Sequence, residues 1–98
     1  MAPAKLLYTR KHTYANGTVV EMTIWQLPNP SNECPHGLKY SLHCGRIDGT
    51  LIVRYDNEHG KGDHRHYRGK EEPYQFTSIN ALIADFNRDI EAEKRLKG

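Results

Sequence analysis

Residues Tyr55 to His66 read Tyr-Asp-Asn-Glu-His-Gly-Lys-Gly-Asp-His-Arg-His, and they hold the side chains best suited to chemistry in this 98-residue chain. The carboxylates Asp56, Glu58 and Asp63, the imidazoles His59, His64 and His66, and the cations Lys61 and Arg65 all fall within twelve positions. Imidazoles exchange protons near neutral pH, and neighbouring cations can hold a phosphate. On an extended backbone His64 and His66 share one side, roughly 6.6 Å apart along the strand. That gap can straddle a phosphodiester, one ring taking a proton from a 2′-hydroxyl while the other protonates the leaving oxygen. Asp63 or Glu58 would orient a ring through its second nitrogen. Lys61, Arg65 or Arg68 would stabilise the charge developing on the phosphoryl group. Gly60 and Gly62 flank Lys61 and let backbone N–H groups approach an anion. The expectation is metal-independent RNA cleavage. His64, His66 and Asp63 are its catalytic residues, and Gly60, Lys61, Gly62, Arg65 and Arg68 bind substrate. The spacing is not that of a P-loop, which argues against nucleotide-triphosphate chemistry.

Other readings use the same residues. His-x-His on a strand is a chelating spacing, and Asp56, Glu58 and Asp63 offer oxygen ligands. Nothing in the spacing fixes their geometry, so no metal and no cofactor is expected. Metal-dependent phosphodiester chemistry through Asp56, Asp63, His64 and His66 is the third reading. Cys34, His36, His43 and Cys44 do not have zinc-site spacing; Cys44 reads as core and Cys34 as a loop thiol. Composition alone reads the whole polar stretch as a solvated, turn-rich loop. Between Arg54 and Glu72 there are five cations and five anions, which promises weak, salt-sensitive RNA affinity. That balance suits a protein-binding surface better, with Asp56, Asn57, Glu58 and Trp25 as orienting or partner-facing groups.

These residues need a scaffold, and the first half of the chain supplies strands. Lys5 to Thr13 is β-prone, and Asn16-Gly17 separates it from Thr18 to Leu27, a hairpin signal of the type I′ kind. Val20, Met22 and Ile24 alternate with Glu21, Thr23 and Trp25, so one face is buried. Leu38, Tyr40, Leu42 and Cys44 alternate in the same way. Asp48-Gly49 turns the chain back into Thr50 to Tyr55, with Leu51, Val53 and Tyr55 assigned to one side. A short fifth strand over Arg65 to Arg68 is weaker. Ile79, Leu82, Ile83, Phe86 and Ile90 then follow helical spacing over roughly 78–96, capped by Thr77 or Ser78. Asp85, Arg88, Asp89 and Glu91 are assigned to its other faces, with Glu91–Arg95 and Glu93–Lys97 as i, i+4 pairs. The fold expected is α+β: an antiparallel meander of four to five strands, two hairpins of it clear, with one C-terminal amphipathic helix packed on the sheet.

Length and composition bound the rest. Ninety-eight residues make one domain, and a 37% hydrophobic content makes its core small, so a frequent partner is plausible. The net charge of +2 is too balanced for a protein that coats DNA. Two cysteines are too few for a secreted disulfide scaffold, and no run is long enough for a signal peptide or membrane span. The expectation is a cytoplasmic protein with reduced thiols and no membrane contact.

The run Tyr55 to His66, followed by Glu71-Glu72-Pro73-Tyr74-Gln75-Phe76 and Leu82-Ile83-Ala84-Asp85-Phe86, resembles the TumE family of small proteins, as does the earlier Glu21-Met22-Thr23-Ile24-Trp25 strand. The matching positions in the central run are Asp56, Asn57, Glu58, Gly60, Lys61, Gly62, Asp63, His64, Arg65 and His66. The resemblance implies the toxin half of a toxin–antitoxin pair, with growth inhibition as its activity and a helix-turn-helix antitoxin as its partner. By analogy with other small toxins on compact α+β domains, it also raises the odds of RNA cleavage.

Overall fold

A computed structural model describes residues 4–30, 35–58 and 62–97. Six strands form one antiparallel sheet in sequence order: β1 (Lys5–Thr13), β2 (Thr18–Gln26), β3 (Leu38–Arg46), β4 (Leu51–Glu58), β5 (Gly62–Tyr67) and β6 (Lys70–Pro73). Helix α1 (Ile79–Lys97) closes the chain and packs across β4. The α+β meander is as expected, but it has six strands rather than four or five.

The extra strands come from the polar stretch. Composition alone reads it as a loop and the spacing offers only a short strand over Arg65 to Arg68, yet β4 runs on through Asp56 and Asn57 to Glu58, and β5 returns from Gly62, pairing Asp56 with His64 and Arg54 with His66. Ladder hydrogen bonds use the backbone and are indifferent to side-chain polarity. An antiparallel sheet with only one face covered accepts polar residues on the other.

Alternation decides which side chains meet the helix. Val20, Met22 and Ile24 of β2, Tyr40, Leu42 and Cys44 of β3, and Val53 and Tyr55 of β4 lie in register and form the core beneath Leu82 and Phe86 of α1. Leu51 departs from its assignment. A bulge at Ile52 and Val53 opposite Cys44 inserts one residue. Leu51 therefore shifts to the opposite face beside Gly45, where it is 44% exposed.

The turns also sort differently from expectation. At Asn16-Gly17 only the glycine has positive φ (88°), while Gly17 N–H donates to the Tyr14 carbonyl and Asn16 Oδ1 accepts from Thr18 N–H. This is a type I turn closed by a glycine bulge rather than type I′. Arg46 to Thr50 repeats the pattern, with Gly49 at φ 94°. The type I′ geometry is found at Arg68-Gly69, where both residues have positive φ and Tyr67 pairs directly with Lys70. Ser78 caps α1, its hydroxyl accepting from Ala81 N–H at 3.0 Å.

One helical residue was misassigned. Asp89 lies on the sheet-facing stripe with Leu82 and Phe86, and it is buried. Glu91 meets Lys94 at 3.4 Å rather than Arg95, and Glu93 reaches Arg68 of the β5–β6 turn at 3.5 Å, while the Lys97 side chain expected to pair with Glu93 lies outside the described residues.

Candidate functional site

The face of the sheet away from α1 carries a continuous polar field. Pairing places Ser41, Asp56 and His64 in one row and His43, Arg54, His66 and Glu71 in the next. His64 and His66 share this face as their spacing requires, with ring centroids 5.0 Å apart. Asp56 joins them from β4. One ligand atom from each of Asp56, His64 and His66 lies within 4.8 Å of the others.

Burial divides the three. Asp56 and His64 are each only 6% exposed, whereas the His66 side chain is 29% exposed. Asp56 Oδ2 is 2.7 Å from Arg54 Nε, and Asp56 Oδ1 is 2.6 Å from His64 Nε2. The second contact is close but lies off the hydrogen-bonding direction, so Oδ1 is buried without a hydrogen bond. The other nitrogen of His64, Nδ1, donates to the Gly62 carbonyl at 3.0 Å. Glu71 Oε1, at the rim, is 3.8 Å from His64 Nε2 and 3.9 Å from His66 Nε2. A shallow cavity opens here between Asp63, His64, Glu71, Glu72 and Pro73.

The remaining candidate residues separate from this cluster. Arg65, between the two histidines in sequence, points to the helix side. Its Nε donates to Asp89 Oδ2 at 2.8 Å and to the Tyr55 hydroxyl at 3.0 Å, and its Nη1 donates to Glu72. The hydrogen bond to Asp89 raises the guanidinium pKa further above its ordinary value. Burial first, and then the hydrogen bond to Asp89, push the Tyr55 hydroxyl well up.

Asp63 sits with a histidine that sequence reasoning weighed only for zinc. Tyr40 donates to Asp63 Oδ1 at 2.7 Å, and His36 Nε2 lies 3.0 Å from the same oxygen. Leu38 N–H donates to His36 Nδ1, which leaves Nε2 as the protonated nitrogen and the donor to Asp63. Phe76 packs on the His36 ring, with centroids 4.2 Å apart. Burial, then this hydrogen bond, raise the Tyr40 pKa strongly. No local pattern links His36 to Asp63, 27 residues away.

Asn57 splices β3 to β4, its Oδ1 accepting from Tyr40 N–H and its Nδ2 donating to the Leu38 carbonyl. Glu58 ends β4 opposite Gly62. Arg68 occupies the tight turn over the Tyr67 ring. Trp25 is on the polar face, paired with Leu6 and Lys39 and partly exposed. Cys44 is buried core with its thiol pKa raised by burial, and His43 points to the opposite face. Gly60, Lys61 and Cys34 lie outside the described residues.

Acid–base work by two imidazoles needs one nitrogen on each ring free for substrate. His66 meets that requirement better than His64, whose two nitrogens face Gly62 and Asp56. Asp56, read from sequence as an orienting residue, is the carboxylate that belongs to the cluster.

Among the described residues no helix is long and apolar enough to cross a membrane. No curated protein and no solved structure matches the chain. The family model described as Toxin TumE matches residues 3–94, which takes in every strand and most of α1. With nearly the whole chain matched, this protein belongs to the TumE toxin family and is the toxin component of a toxin–antitoxin system, with a cognate antitoxin as its partner.

Proposed function

We propose that this toxin arrests growth by cleaving phosphodiester bonds of RNA in the cytoplasm, at the polar face of its sheet. The observation that carries this reading is the convergence of His64, His66 and Asp56 on that face. His66 is the open ring that meets the substrate. His64 and Asp56 form the buried floor, and Arg54, whose side chain is half exposed, is within reach of a bound phosphate. Lys61, which lies between β4 and β5 in sequence, adds a cation to the same anionic ligand. Asp63 and Arg65 act as structural anchors of β5 in this account. The antitoxin, a helix-turn-helix protein by family pattern, silences the toxin by covering the polar face. Trp25 and Leu6, at one end of that face, offer it an apolar anchor.

The test is induction in a host lacking the antitoxin, combined with incubation of the purified toxin with end-labelled RNA at low salt. The expected result is growth arrest and discrete cleavage by the native chain, both lost in a folded His66→Ala variant. Undiminished arrest by a folded His64→Ala/His66→Ala variant would sink the reading.

A non-enzymatic binding module is a second reading, and one observation favours it. Arg54, Arg65 and Arg68 each pair with carboxylates, which reduces the positive charge offered to RNA by the described residues. Tight antitoxin binding together with arrest that survives loss of both histidines would select it.

A further inference from the structure

The floor of the polar face holds an arrangement that a neutral His64 leaves unbalanced. A carbonyl oxygen can only accept, so the contact with Gly62 puts the proton of His64 on Nδ1. In the neutral ring Nε2 then carries a lone pair, and it faces the Asp56 carboxylate at 2.6 Å. Asp56 Oδ1 is buried and receives no hydrogen bond. Two electron-rich atoms pressed together in a dry site repel each other unless positive charge lies close to both.

The surroundings are those of a coordination site. A ligating histidine characteristically donates its second nitrogen to a backbone carbonyl, which fixes the tautomer and aims the lone pair. His64 does this through Gly62. A ligating carboxylate is in turn held from behind, as Arg54 holds Asp56 through Oδ2 at 2.7 Å. His66 adds a second imidazole within 4.8 Å. Metal bonds of about 2.0–2.2 Å put ligand atoms about 3.0–3.5 Å apart. His66, the least buried of the three, must rotate inward to reach that spacing, and the 2.6 Å pair of Asp56 and His64 must open by a few tenths of an ångström. Glu71, from the neighbouring strand, brings a second carboxylate to within 4 Å of both Nε2 atoms. Adjacent strands in fixed register present these donors, so the site is largely preformed.

We propose that Asp56, His64 and His66, with Glu71 as an outer carboxylate, bind one divalent first-row transition-metal ion such as zinc or manganese. Two imidazoles and a carboxylate suit such an ion, whereas magnesium and calcium favour all-oxygen sets. The sequence-level ligand set of Asp56, Asp63, His64 and His66 is thereby amended: Asp63 is committed to Tyr40 and His36 on the other side of the sheet. The inference uses the same cluster as the proposed function and names its cofactor. Metal binding does not itself require that RNA be the substrate.

The full chain, produced without a polyhistidine tag and stripped with chelator, is titrated calorimetrically with zinc and followed with cobalt by visible absorption. One equivalent is expected, together with ligand-field bands. Asp56→Asn and His66→Ala should each weaken binding at least roughly tenfold, and Arg54→Gln somewhat less. His36→Ala and His43→Ala, both outside the cluster, should bind as the native chain does. His64 is buried, so the weight rests on the Asp56 and His66 variants, with circular dichroism checking their fold. No binding by the native chain, or equal binding by folded Asp56→Asn and His66→Ala, overturns the proposal. RNA cleavage measured on the same samples separates the two ideas. Bound metal without cleavage defeats the ribonuclease reading and leaves the site standing. Cleavage that persists after stripping, with no metal bound, does the reverse.

Discussion

The two faces of the sheet each bury a carboxylate beside an arginine, and they treat it differently. On the helix side, Asp89 Oδ2 accepts from both the Tyr55 hydroxyl and Arg65 Nε, while Arg65 also reaches Glu72. On the polar side, Asp56 has Arg54 at Oδ2 and an unaligned histidine nitrogen at Oδ1. A buried charge with its donors in place belongs to the architecture and ties helix to strand. A buried charge with a lone pair left over is what a binding site requires and what a structural site avoids.

Four measurements press on this contrast. The largest effect should follow Asp89→Ala, which strips Arg65 and Tyr55 of their shared acceptor. Denaturation in urea should show a loss of about 3–5 kcal/mol, against less than about 1 kcal/mol for Asp56→Asn. Equal losses at the two sites would erase the distinction. Next, His66→Ala should lower RNA cleavage by about 100-fold or more while leaving the urea midpoint unchanged. An equal fall in stability would make His66 architectural too.

Third comes Gly45→Ala. A Cβ there would stand 2.8 Å from the Thr50 carbonyl oxygen and 2.9 Å from His43 Nε2. A cost of about 1–3 kcal/mol in the same denaturation assay would show that the polar face is rigid at the bulge. A negligible cost would show that it yields.

The smallest effect concerns pH. Burial first, and Arg54 second, hold the His43 imidazole below its ordinary value of 6.5. The unfolded chain therefore takes up that proton more readily than the folded one. The contribution to stability is intact above pH 6.5 and shrinks as pH falls below it. Thermal melts of His43→Gln should decline less steeply with acid than those of the native chain, and parallel declines would remove His43 from the account.

Much of the scaffold was legible because it is local. The alternation in Thr18–Gln26 and Leu38–Arg46, the Asn16-Gly17 and Asp48-Gly49 corners, and the helical period after Ser78 all depend on near neighbours. The shared face of His64 and His66 was legible for the same reason. The rest was less so. Leu51 changed faces because one inserted residue opposite Cys44 resets the alternation, and no residue type there announces it. Asp89 looked like a solvent residue because its partners, Tyr55 and Arg65, lie 34 and 24 residues back in the chain. The partners of Asp63, Tyr40 and His36, were hidden for the same reason, being on another strand and its approach. Polarity weakened the signal of β5, offered only as a short strand over Arg65 to Arg68, since a strand with one wet face need not look like a strand.

Every strand pairs with its neighbours in sequence order. Such a chain closes only short loops as it folds, so each hairpin can zip up as it leaves the ribosome. Helix α1 is synthesised last, and until it docks, Tyr55, Leu42 and Ile24 remain bare beneath it. A ribosome stalled before Ile79 would release a ribbon greasy on one side and polar on the other. Completion of the nineteen helical residues hides the greasy side and leaves the polar one open to solvent.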